Sequence, residues 1–520
     1  MKKNFCKAIG MALCAFTACF AFFGCAPRGP QEGVLQVIVQ NAGYGYKWLT
    51  DVAQDYEALT GIKVDITNQN AYGKTSEKAM NYVNNYTDLY FDITNPGYLF
   101  SNQYKGASVT DGSSDQFFVD LSDVFDSPAE GYGEGVTIED IVSDYSLRDV
   151  TYTDGKQYAF SWARAIDGMI YNKQYFDDNN LEVPRTTTEL FELCDDIKDL
   201  KLTNHNQKTV YPIIWTKDYW EQCTMMWTFQ YEGLDVYRNY LEGKDASGKY
   251  SAEIYRMQGK YYAYYTIGEL ISTSKGYADI ACAGRSFTQN QVKFLEGEAF
   301  MMPNGDWLER EMKANFEDDA LDIAFMKVPV VSQLTEKLDT IKSDSALSEV
   351  IAYIDGDITE EELTGDYSPE DIERVREARS ITYTQQATHI GYIPFYAPHI
   401  EEAKDFIVYL HGKDVQMKIA ESSFGNMFPI DYDFSGEEGY AAFSNLKKTA
   451  DDILQGAELI GPEMIYPLYY IGGLQHRMRG QEAMGLSGGS AKTALQIIQE
   501  QYSSYEPEFA EYMIRAGVSN

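Results

Sequence analysis

Two periodicities take turns along this chain. Val34 to Gln40 alternates and carries β-branched residues, the pattern of a strand, and it stops at Asn41-Ala42-Gly43, a turn signal. Trp48, Leu49, Val52, Ala53, Tyr56 and Leu59 then recur at spacings of three and four, which predicts a helix that ends at Gly61. Ile62 to Thr67 predicts a second strand, Lys74 to Asn84 a second helix, and Asp88 to Thr94 a third strand before the turn Asn95-Pro96-Gly97. Strands and helices in this order imply βαβ units and a mostly parallel sheet, whose ligands bind beyond the carboxyl ends of the strands. The loops 41–47 and 95–98 lie at two such ends.

Further along, Tyr158 to Tyr171 reads as one long strand-like run. Pro184-Arg185-Thr186 leads into a helix in which Thr186 and Glu189 are spaced as a capping box. Tyr211 to Trp215 and Ala299 to Met302 predict short buried strands, and Gly305-Asp306-Trp307 breaks the second before another helix. Trp220 and Trp227 share a helix face, a core pattern more often than a ligand platform. The stretch from Ser332 to Ser380 is polar and acidic, which predicts helices on the surface.

The N-terminus has a different rhythm. Lys2, Lys3 and Lys7 precede an unbroken apolar run from Ala8 to Phe23, closed by Gly24-Cys25, the layout of a secretory signal. The run is shorter than the ~20 residues a spanning helix needs. Phe22-Phe23-Gly24-Cys25 resembles the lipobox of bacterial lipoproteins, with Phe22 in place of the usual Leu and Phe23 in place of the usual small residue. That resemblance implies removal of 1–24 and acylation of Cys25, and the Pro/Gly-rich stretch to Gly33 is a tether. The expected location is the outer face of the cell membrane, extracellular or periplasmic according to the envelope.

Composition sharpens this picture. A chain of 520 residues exceeds one hydrophobic core, so at least two lobes are required. With 79 acidic residues against 43 basic ones, the net charge of -36 excludes binding to nucleic acid or an anionic membrane through charge. The 41 tyrosines combine flat apolar faces with hydroxyls, which suits stacking on a ring and hydrogen-bonding its rim. Cys194, Cys223 and Cys282 remain after the signal and Cys25 are set aside, enough for one bridge at most. His205, His389, His399, His411 and His476 show no ligand spacing and no HExxH occurs, so neither metal nor cofactor is expected. Gly485-Leu486-Ser487-Gly488-Gly489 matches a serine-hydrolase motif only in letters, because no His or Asp follows Ser487.

Four stretches in sequence order carry a resemblance. They are Tyr56-Glu57-Ala58-Leu59-Thr60-Gly61-Ile62-Lys63-Val64; Ile170-Tyr171-Asn172-Lys173 with Phe176, Leu181 and Pro184 to Leu190; Phe294 to Trp307; and Gly391-Tyr392-Ile393 with Ala403, Phe406, Ile407 and Leu410. Together they resemble the extracellular solute-binding proteins of ABC transporters, in the sugar-binding family of the maltose-binding type. The resemblance implies a two-lobed, hinged α/β fold of the periplasmic-binding type. Chain crossings are expected near Phe160 to Arg164 and Thr388 to Tyr392. Residues 34–160 with about 388–435 would form one lobe, and 161–387 with about 436–520 the other, with insertions near 109–143, 236–280 and 332–380. The implied function is capture of a carbohydrate, an oligosaccharide for preference, by a non-enzymatic monomer that hands it to a permease. From the family's binding loops, Tyr44, Tyr46, Asn95, Tyr98, Trp162, Arg164, Asp306 and Trp307 are the expected ligand contacts. Trp307 has the flattest face for a sugar ring, and Asp306 can accept its hydroxyls. Two alternatives stay open: the same fold with another polar solute, and a lipid-anchored glycoside hydrolase, which needs two carboxylates about 5 to 10 Å apart.

Overall fold

The computed structural model describes residues 29–71, 73–93, 117–152, 154–217, 219–313, 321–462, 485–487 and 491–516. Two β-sheets organise them. The first runs in the order β2 (Lys63–Gln69), β1 (Val34–Gln40), β3 (Leu89–Ile93), β10 (His389–Tyr392), β4 (Phe160–Ser161). The second runs β11 (Glu458–Ile460), β9 (Ile381–Thr384), β5 (Ile166–Asn172), β7 (Ala299–Gly305), β6 (Tyr211–Ile213), with β8 (Ile323–Met326) also paired to β5.

Each sheet has its own core. Leu35, Val37, Trp48, Leu49, Phe91, Phe406 and Leu410 pack around the first. Ile170, Leu190, Trp220, Trp227, Phe300 and Met302 pack around the second. Trp220 and Trp227 have no exposed surface, as their shared helix face predicts. Two cores for a chain of this length follow from the limit on how large one apolar interior grows.

The sheets are mixed, which corrects the expectation of mostly parallel pairing. β1 is parallel to β2 and β3, but β10 is antiparallel to β3 and β4, and β5 is antiparallel to β7, β8 and β9. β10 and β5 enter their sheets directly from the other lobe, without the helical crossover that keeps neighbouring strands parallel.

Several local expectations hold. The helix Lys47–Thr60 buries Trp48, Leu49, Val52, Ala53 and Tyr56 and ends at Gly61, whose left-handed φ of 77° accepts no side chain cheaply. Leu59 is the exception on that stripe, at 74% exposure. The helix Thr187–Leu200 starts on the complete capping box of Thr186 and Glu189. The second helix stops at Met80 rather than Asn84. The acidic stretch after Ser332 also differs from expectation: helices Asp344–Asp355 and Pro369–Ser380 press Leu347, Val350, Ile351, Val375 and Ala378 into the second core.

The run from Tyr158 to Tyr171 is two strands in two sheets. It breaks at Ala165, where φ is 44°, and the break is a crossing between lobes. The return crossing is the short turn from Thr384, the last residue of β9, through Gln385–Thr388 to His389, the first of β10. Backbone bonds tie the two passages together: Gln385 N–H donates to Ala165 at 2.8 Å and Trp162 N–H to His389 at 2.9 Å.

Candidate functional site in the interlobe cleft

Against the second crossing lies a cavity of about 950 Å³, lined by Lys217, Tyr219, Glu221, Gln222, Arg285, Phe287, Trp307, Tyr383, Gln385 and Thr388 among others. Its size falls within the range of small-molecule sites. β7 ends at Gly305 and delivers Trp307 to this place, while Asp306 just before it is not part of the lining; β9 delivers Tyr383 and the crossing delivers Gln385 and Thr388. The helix Glu221–Glu232 opens at the cavity, so Glu221 and Gln222 belong to its first turn.

Trp307 joins the lobes. Its indole folds back over Gly305, where an added Cβ would stand 2.3 Å from the ring. On the other lobe, Gly43 lets the turn after β1 approach so closely that a Cβ there would lie 3.0 Å from Trp307. Its ring centroid is 6.1 Å from Tyr44, edge-on, and 6.1 Å from Tyr219, tilted. With 7% of its surface exposed it is enclosed, yet it lines the cavity.

Tyr44 and Asp306 meet across the lobes, the tyrosine hydroxyl donating to the Asp306 carboxylate. Burial pushes the Asp306 carboxyl up to about 7, while the Tyr44 hydroxyl bond and the Lys447 and Arg164 charges oppose the rise. Burial and the Asp306 charge likewise hold the Tyr44 phenol well above its ordinary range. Behind them Asp167 is 2% exposed and accepts two amide donors, Gln222 Nε2 at 3.1 Å and Gln385 Nε2 at 2.9 Å. Burial pushes its carboxyl up against those two donors, with the nearby Asp306 and Glu221 adding to the rise.

The other expected contacts have different roles. Trp162 has no exposed surface: it stacks on Trp48 at 5.6 Å and donates its indole N–H to the Asp92 carbonyl at 3.1 Å. Arg164 is 7% exposed and pairs with Asp451, which also receives Lys447 Nζ and the Tyr440 hydroxyl. Burial pulls Lys447 down to about 8. For Asp451 burial acts upward, and the Arg164 and Lys447 charges overrule it, holding the carboxyl below its usual range. Arg164 therefore faces the opposite flank of the crossing, in a cavity of about 610 Å³ that also contains Tyr145, Gln386 and Asp431. Tyr46 is half-buried against the first core. Asn95, Tyr98 and Cys25 lie outside the described residues. Cys194, Cys223 and Cys282 are free and buried.

Gln222, Tyr383, Gln385 and Asp167 are the residues that sequence reasoning did not nominate. An acid inside the apolar run Tyr158 to Tyr171 was the one signal available; the glutamines carry none.

The model of the bacterial extracellular solute-binding protein family matches residues 51–441. Three solved structures are similar in fold. An ABC transporter solute-binding protein from Agrobacterium radiobacter K84, in complex with ribitol, is 15% identical with a TM-score of 0.55, over 92% of this chain and 100% of that one. AcbH, a bacterial solute receptor described as exclusive for β-D-galactopyranose, is 12% identical with a TM-score of 0.59, over 92% and 100%. RafE in complex with raffinose is 15% identical with a TM-score of 0.54, over 91% and 99%. No curated protein matches the sequence. A two-lobed α/β fold, a cavity against its crossings and a family match across most of its length make this chain a member of the bacterial extracellular solute-binding proteins.

Proposed function

We propose that this protein captures a neutral carbohydrate in the cavity beside Trp307 and presents it, enclosed, to the permease of an ABC transporter. The observation that carries this reading is the pairing of an indole face with amide and hydroxyl groups on the crossing, an arrangement suited to a ring that is apolar on its faces and polar on its rim. The ligands named for AcbH, RafE and the ribitol-bound protein are of this chemical class. Residues 34–160 with 388–435 form one lobe of the trap and 161–387 with 436–520 the other. Tyr46, Asn95 and Tyr98 are ligand contacts by analogy with the family's binding loops, while Trp162 and Arg164 hold the crossing. The mature protein is a monomer anchored through acylated Cys25 on the outer face of the membrane, with 1–24 removed. It is not an enzyme: the sugar leaves unchanged.

A thermal-shift and calorimetric panel of mono- and oligosaccharides, peptides and polyamines tests the reading, since a ligand of the native state alone raises stability by RT ln(1 + [L]/Kd). Sugars are expected to shift Tm and to be recovered intact. Trp307→Ala is expected to weaken the binding roughly tenfold or more, the equivalent of about 1.4 kcal/mol. Shifts confined to peptides or polyamines would reassign the ligand, and cleavage of an oligosaccharide would restore the hydrolase alternative.

A further inference from the structure

Asp167 is an acid with no basic partner among the described residues, buried at the start of β5, where it stands opposite Gly305 of β7 and Tyr383 of β9. A carboxylate taken from water without a countercharge is stable only if its oxygens are supplied with donors. Two glutamines supply them. Oδ1 accepts Gln222 Nε2 at 3.1 Å and Oδ2 accepts Gln385 Nε2 at 2.9 Å. One glutamine comes from the first turn of the helix Glu221–Glu232, the other from the crossing between β9 and β10. Both line the cavity.

A primary amide has its donors on one side and its acceptor on the other. Once Asp167 holds the NH₂ group, the carbonyl oxygen is left to find a donor elsewhere. Gln222 Oε1 is buried and has no hydrogen-bond partner among the described residues. That oxygen has no surface open to the cavity, so the Gln222 amide is spent on holding Asp167. Among the described residues Gln385 Oε1 likewise receives no donor.

We infer that Asp167 is the positioning residue that sets the polarity of the site: by gripping the amide NH₂ groups of Gln222 and Gln385 it leaves the Gln385 carbonyl oxygen as the acceptor on the crossing, so that the cavity selects a neutral, hydroxyl-rich ligand over the corresponding acidic sugar. This rests on reading the cavity as a carbohydrate site. An alcohol donates to that oxygen. A uronate brings acceptors alone at its carboxylate, and there it meets the Gln385 carbonyl oxygen, acceptor against acceptor. Glu221, which accepts the Tyr383 hydroxyl at 3.1 Å, adds a further acceptor on the same wall.

The test is a selectivity ratio. Calorimetry on the full mature chain, with D-glucose, D-galactose and D-xylose set against D-glucuronate and D-galacturonate, first asks whether any neutral sugar binds. If these and the oligosaccharides of the wider panel all fail to bind, the carbohydrate reading fails and this inference goes with it. If a neutral sugar binds, the wild type is expected to prefer it to its uronate by tenfold or more. Asp167→Asn keeps the shape but donates from its own NH₂, forcing one glutamine to turn and offer N–H to the cavity; the preference is expected to fall at least tenfold, mostly through loss of the neutral sugar. Gln385→Met, on the crossing and partly exposed, leaves Asp167 in place and is expected to lower the same ratio, so a folding defect in the first variant leaves the second decisive. A purely structural role would weaken both ligand classes equally. A ratio that stays constant in the variants, or a wild type that binds the uronate as well as the neutral sugar, would overturn the assignment while the carbohydrate reading stands.

Discussion

Tyr44 and Asp306 show how a residue's meaning changes with its neighbours. Either side chain alone is a plausible sugar contact; together they hydrogen-bond to each other between the lobes, and neither lines the cavity. The carboxyl that closes this contact titrates at about 7, because burial penalises its charge. Exposed to water it would return to an ordinary value of about 4. A group whose pKa is raised in the closed, folded form contributes stability that is fully present below about 4 and is lost as pH rises through about 7. Wild type minus Asp306→Asn is therefore expected to show a Tm difference that declines between pH 4.5 and 8, and thermal unfolding of the two proteins in matched buffers measures it. A flat difference would mean that Asp306 is hydrated, not sealed by Tyr44. The aromatic residues divide in the same way. Trp162 and Trp307 look equivalent as letters, yet one is packed on Trp48 with no exposed surface and the other lines the cavity.

Among the elements, those decided by neighbours in sequence were legible. Thr186 and Glu189 form the expected capping box because the groups involved lie within one turn. Thr186 Oγ1 also donates to Asp344 at 2.8 Å, tying the cap to a second helix. Thr186→Ala is expected to cost about 1 to 2 kcal/mol, read as a lower urea midpoint at unchanged slope. Gly391, the glycine at the head of a family motif, has a reason that only packing reveals. It lies on β10 against Phe160 of β4, and a Cβ there would stand 2.2 Å from the phenyl ring. Gly391→Ala is expected to destabilise by about 1 to 3 kcal/mol, the usual cost of overpacking, by the same measurement. The strand-like run from Tyr158 to Tyr171 was legible as extended chain but not as two strands. Nothing in its periodicity distinguishes a crossing from a continuous strand, and the break falls on an alanine rather than a glycine.

At the scale of the molecule, the lobes touch through the turn after β1 and the segment after β7. Gly43 approaches Trp307, Tyr44 bonds Asp306, and Gly45 approaches so near Arg310 that a Cβ would lie 2.6 Å from its guanidinium. Contacts between protein groups of the two lobes favour closure by their own free energy, and a bound solute adds its differential affinity to that bias. Tyr44→Phe removes one hydroxyl and no packing surface. Small-angle scattering is expected to show a larger radius of gyration for this variant than for the wild type when both are ligand-free, and the same radius for both when saturated. Equal radii in the ligand-free state would show that the latch contributes nothing to closure.

What the amino-acid order settled alone was whatever depends on short range or on bulk: strands and helices from period, caps and stops from neighbouring residues, at least two lobes from length, and a charge that excludes nucleic acid. Family motifs extended that to the fold and to the segments flanking the cleft. Tertiary structure decided which side chains face one another, and with it the direction of the strands, the sealing of Trp162, the ion pair of Arg164 and the grip of Asp167 on two glutamines far apart in sequence. The physical reason is that burial and hydrogen-bond partnership are properties of pairs brought together by folding, and a glutamine in the sequence carries no mark of which carboxylate will hold its amide.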